Sequence, residues 1–157
     1  MRGSAMLHPA VLASMLLLIV NDHVLKHAYP GFFTGKLSDV AGLAFFPVLL
    51  WSLLEVLARR PPPLSLRACA ACIVVTGLVF AATKTWPPAG EAYAQAIALL
   101  QWPVRALVAV VAGVARPALG RVSFAVDATD LLALPALALP FAIARARCGS
   151  RPPPQSP

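Results

Sequence analysis

Between Asn21 and Pro47 the sequence reads NDHVLKHAYPGFFTGKLSDVAGLAFFP, with two aspartates, two lysines and two histidines set between apolar runs. Asp22 and Lys26 stand four apart, acid first, the spacing at which side chains pair along one face of a helix. Such a pair either aims the remaining lysine donors at an anionic group or forms a polar turn whose lysine snorkels to lipid headgroups. His23 and His27 repeat the spacing on a neighbouring face. With Asp22 or Asp39 they have the residue types of a two-histidine, one-carboxylate zinc site. No HExxH pattern accompanies them and His8 lies at the far end of the first apolar run, so no metal or other cofactor is expected.

Thr34 to Asp39, TGKLSD, has two readings. Gly35 frees the backbone, Lys36 adds charge and Ser38 caps exposed helix N–H groups, which suits an anion. The simpler expectation is a capped helix start with Asp39 near the positive helix end. Cys69 and Cys72 form a single CxxC, which at helical i,i+3 spacing is expected to pack rather than to do redox or metal chemistry. Glu55 precedes Arg59 by four and is expected to pair with it. No Gly-rich nucleotide loop, GxSxG or Ser-x-x-Lys is present, so nucleophilic catalysis has no local signature.

These groups need elements to hold them, and composition says which. The 157 residues are 59% hydrophobic and 12% charged, with a mean hydropathy of +0.77. So much apolar surface fits one membrane-embedded helical unit. Four spans are expected, at about 5–25, 39–57, 66–85 and 124–144, with a tail over 149–157 rich in proline and expected to be disordered. The N-terminus mimics a secretion signal, but Asn21-Asp22-His23 is no cleavage site, so a retained span is expected. Residues 92–116 are apolar yet interrupted by Gln101, Pro103 and Arg105, and are read as an interfacial or re-entrant helix anchored by Trp86 and Trp102.

Charge sets the expected orientation. Four spans leave seven of the 13 Lys/Arg inside (Arg2, Arg59, Arg60, Arg67, Arg145, Arg147 and Arg151), with both termini cytoplasmic. The formal charge of +7 therefore reads as loop arginines. No basic stripe interleaved with aromatics points to nucleic acid.

The opening stretch has an echo. Lys26-x-x-x-Pro30 followed by Ser38-Asp39 is matched by Lys84-x-x-x-Pro88 followed by Thr129-Asp130. Lysine and aspartate are 13 positions apart in the first half and 46 in the second, an insertion of 33 residues. Two tandem two-helix repeats would bring Lys36 and Asp127 into equivalent positions and pair Lys84 with Asp130 or Asp39.

GKLSDVAG is similar to the Gly-x-Leu-x-Asp-x-x-Gly loop of major facilitator transporters over eight residues, with Leu43-Ala44 where that loop is usually basic. The stretch NDHVLK, with TGKLSD, WPPAGEAY, LLQWPVRALV and VDATDLLALP, resembles uncharacterised small bacterial multi-pass membrane proteins over most of the chain. That resemblance implies an integral membrane protein and no particular chemistry.

The expectation is an all-α membrane protein of a bacterial inner membrane with Asp22, His23, Lys26, Lys36, Asp39, Lys84, Asp127 and Asp130 converging on its outer face. Three functions stay open. A binding or transport-accessory protein would hold an anionic lipid or solute there. A membrane enzyme would use an Asp/His pair, with or without metal, on lipid headgroups. A structural subunit of a larger complex would use the charges to lock helix ends. Non-enzymatic roles are preferred, and the expected partners are membrane lipids and further copies or subunits.

Overall fold

The computed structural model describes residues 4–57, 66–115, 118, 120 and 126–149, and among the described residues there are helices and no strand. In chain order the α-helices are α1 (Pro9–Val20), α2 (Lys26–Ala28), α3 (Phe32–Leu57), α4 (Leu66–Thr85), α5 (Pro87–Val111) and α6 (Ala138–Gly149). A 3-10 turn at Ser4–Leu7 precedes α1. A π-helical segment at Asn21–Leu25 joins α1 to α2, and a 3-10 helix at Ala128–Leu137 leads into α6. The chain forms two compact units, Met1–Leu78 with Asp130–Pro157, and Val79–Thr129.

Five helical stretches are long and apolar enough to cross a membrane: Pro9–Ala28, Phe32–Leu57, Leu66–Thr85, Pro87–Val111 and Ala128–Arg147. The expectation from sequence was four. The additional one is α5, whose helix persists through Gln101, Pro103 and Arg105. Trp86, extended at φ −120°, ends α4, and Pro87-Pro88 occupy the first positions of α5, where their missing N–H groups cost nothing. Its C-terminus closes on Gly113 at φ +67°, with Val114 N–H bonded to Ala109 C=O and Gly113 N–H to Val110 C=O. This is a Schellman cap, and it requires the left-handed residue that glycine supplies without strain.

The first unit is organised by α3. A stripe at Thr34, Ser38, Ala41, Phe45, Val48, Ser52 and Glu55, with spacings alternating four and three, faces its neighbours. Ala41 to Glu55 on this stripe are buried. Phe45 and Val48 enter a core with Trp51, Val11, Cys69, Cys72, Ile143 and Ala144. Both cysteines of the CxxC are buried in this core, and the Cys69 thiol also lies 3.9 Å from Pro140 C=O. In lipid, where apolar surface gains little by leaving the solvent, such close contact is what binds helix to helix.

Three boundaries differ from the sequence expectation. The first span continues past Leu25 to Ala28 because a π-helical stretch carries it on. The second begins at Phe32 rather than at 39. Its start follows the break at Tyr29–Gly31, and Thr34 Oγ1 donates to Gly31 C=O at 2.9 Å and accepts from Gly31 N–H at 3.2 Å. Helix α6 reaches Gly149, so only 150–157 of the expected tail lie outside the described residues, as does the expected Glu55 partner Arg59.

Candidate functional site

One end of the first unit gathers a group of polar side chains. In the π-helical segment the Lys26 N–H bonds to Asn21 C=O, five residues back, widening the helix where Asn21 and Asp22 sit. Asn21 is fully buried against α3. Its amide nitrogen donates to Thr34 C=O at 2.6 Å and to Ser38 Oγ at 2.7 Å. Ser38 Oγ donates onward to Asp22 Oδ1 at 2.6 Å, and Lys26 Nζ meets the same oxygen at 2.7 Å. The directions are set by chemistry: a carbonyl can only accept, so Asn21 must turn its nitrogen toward Thr34. Asn21 Oδ1 is buried with no hydrogen-bond partner.

Ser38 is thus not the cap of a helix start. It lies in the second turn of α3 and carries a hydrogen bond between Asn21 and Asp22. The expected Asp22–Lys26 pair is present, with both side chains about two-fifths exposed.

A second charged centre lies on another face of α3. Lys36 forms an ion pair with Asp130, and the two side chains are only 14% and 11% exposed. The Lys36 ammonium also sits 4.4 Å from the centroid of the Phe32 ring, a cation–π contact. Lys36 and Ser38 are two residues apart on a helix, about 200° around its axis. The start of α3 is therefore held from two sides, by the π-helical end of the first span and by the 3-10 start of the last. Both carboxylates, Asp22 and Asp130, come from helix segments that depart from α geometry.

The other expected residues lie on α3, on the first helical stretch, on α4 and just ahead of the 3-10 helix. Asp39 is half-buried on α3. His23 and His27 are exposed, and among the described residues no three His, Cys, Asp or Glu side chains gather to hold a metal. Asp127 Oδ1 accepts from Thr129 N–H at 2.9 Å and Thr129 Oγ1 at 2.7 Å, capping the 3-10 helix. Lys84, in the second unit, lies 5.6 Å from the Phe80 ring one turn back.

Asn21 and Ser52 were not singled out from sequence. Asn21 continues the buried register of Val11 and Ser14 at helical spacing, a signal that an amide at the end of an apolar run faces a neighbouring helix. Ser52 is buried on the α3 stripe at the opposite end, beside Glu55. No protein-family model matches the chain, and no curated protein or solved structure matches it.

Proposed function

We propose that the chain is a small multi-pass protein of a bacterial inner membrane that holds an anionic group, of a lipid or a solute, where Asp22, His23 and Lys26 gather. In this reading it is a binding or transport-accessory protein. The observation that carries it is the state of Lys26. One ammonium donor is spent on Asp22, the side chain is 41% exposed, and exposed His23 and His27 lie close by in the chain. Two donors are left for ligand oxygens, and Asp22 fixes their direction. Exposed Tyr29, Phe32 and Phe33 add the aromatic flank common at membrane interfaces.

The orientation follows from the arginines, with both termini cytoplasmic and this end outward. That requires α5 to lie along or re-enter the outer face. Supporting this, Glu91, Gln95, Gln101 and Arg105 fall within about 120° of its circumference, the pattern of a helix lying in an interface. Lys26 and Lys84 each occupy the last turn before a helix break, which supports a tandem two-helix plan.

A lipid and metal inventory of the purified protein tests the reading. Anionic lipid should co-purify with the native chain and be depleted in Lys26→Gln. A stoichiometric bound metal would instead favour the membrane enzyme. The buried Lys36–Asp130 pair favours a second reading, a structural subunit whose charges lock helices. Co-purification of a fixed protein partner, with no retained lipid, would establish that one.

A further inference from the structure

Helix α5 carries one acid and one base, Glu91 and Arg105, and both lie on its polar stripe with Gln95 and Gln101. All four side chains are exposed. Leu100, Val104, Leu107 and Val111, also exposed, lie on the opposite side, the side that suits lipid. Little of the helix is covered by its own chain: 11% of its apolar window is buried. A helix that shows its stripe to water at a membrane surface usually fills it with Lys and Arg. This stripe is neutral, and half of it is amide.

The order of residues along the stripe says what would cover it. Glu91 and Arg105 stand seven positions on either side of Ala98, and Gln95 and Gln101 stand three. Reversed end to end about Ala98, the helix matches itself. Glu91 then meets Arg105 of a second copy, Gln95 meets Gln101, and the small Ala94 meets the large Trp102. In a two-fold pair each of these contacts occurs twice. A glutamine amide both donates and accepts, so facing amides can satisfy each other. Ala98 is already buried in the single chain, so contact between copies falls to the longer side chains around it.

Copies inserted in one orientation are related by a two-fold axis along the membrane normal. That axis reverses a helix lying in the membrane plane, whereas a spanning helix stays parallel to its mate. Parallel mates would set Glu91 against Glu91 and Arg105 against Arg105. We propose that α5 is a homodimerisation helix, pairing antiparallel with α5 of a second copy through Glu91–Arg105 contacts at both ends and Gln95–Gln101 contacts between them. This rests on the reading above in which α5 lies along the outer face, and it turns the polar stripe toward the two-fold axis.

Two differently tagged copies of the full chain, one Glu91→Cys and the other Arg105→Cys, are co-expressed and oxidised in the membrane, with the native chain and its three cysteines as the blank. The expected result is a crosslink between the two variants and nothing beyond the blank within either one. Like sites would lie about 21 Å apart along an antiparallel pair, and a disulfide needs Cα atoms within about 7 Å. Dominant like-site crosslinks, or no crosslink at all, overturn the proposal. Charge exchange tests it without cysteines. By fluorescence transfer between copies in lipid vesicles, Glu91→Arg and Arg105→Glu should each weaken the dimer about tenfold, since each disturbs two contacts, and the double exchange should restore it. A double variant as weak as the singles overturns it too. A membrane-impermeant maleimide on the cysteine variants separates pairing from placement. Both sites labelled from outside, without dimers, strikes the pairing alone. One site labelled from each side makes α5 a span and strikes the placement as well.

Discussion

Lys36 and Asp130 are 94 positions apart in the chain and meet in one ion pair on a face of α3 that the first span does not cover. Removing either member alone takes one charge out of a contact that is largely withdrawn from solvent. Lys36→Met and Asp130→Leu should each cost about 3–5 kcal/mol, and the double substitution should cost much less than their sum. Thermal or denaturant unfolding of the three variants in one detergent measures the coupling. Additive losses would mean that the pair holds no helices together.

Asn21 offers a sharper test, because only an amide nitrogen can donate to the Thr34 carbonyl and Ser38 at once. Asn21→Asp keeps the shape but replaces that donor with an acceptor beside Asp22. It should be more destabilising than Asn21→Ala, whose cost is about 1–3 kcal/mol for the groups left unpaired. Equal stability of the aspartate and native proteins would show that the observed donor direction contributes nothing.

Gly113 closes α5 at φ +67°. Gly113→Ala should cost about 1 kcal/mol and loosen the last turn, seen as faster hydrogen exchange at Val114 and Gly113 relative to Ala98. A change no larger than that of Ala112→Ser would mean the cap adds no stability.

Topology can be read with reporter fusions after Arg60 and after Arg151. Both should report the cytoplasm if α5 does not cross the membrane. A periplasmic C-terminal reporter would make α5 a fifth span and place Arg145, Arg147 and Arg151 outside.

The helices themselves were legible in the residues. The third apolar stretch was read at 66–85 and forms a helix at Leu66–Thr85, because its apolar run is bounded by polar residues and proline on both sides. The Asp22–Lys26 pair was equally local, since four residues along a helical end suffice to bring the two together. Composition also identified an all-helical chain with several stretches fit for a membrane. The rest depended on partners distant in sequence. Nothing near Lys36 in the chain says that Asp130 pairs with it from 94 positions away. Ser38 looked like a cap because a helix start is judged from neighbours, while its role is set by Asn21 and Asp22 on another helix. The π-helical turn and the 3-10 run were invisible for the same reason. Departures from α geometry cost energy locally, and what compensates them here, the hydrogen bonds of Asn21 and the pairing of Asp130 with Lys36, exists only once distant segments pack on α3.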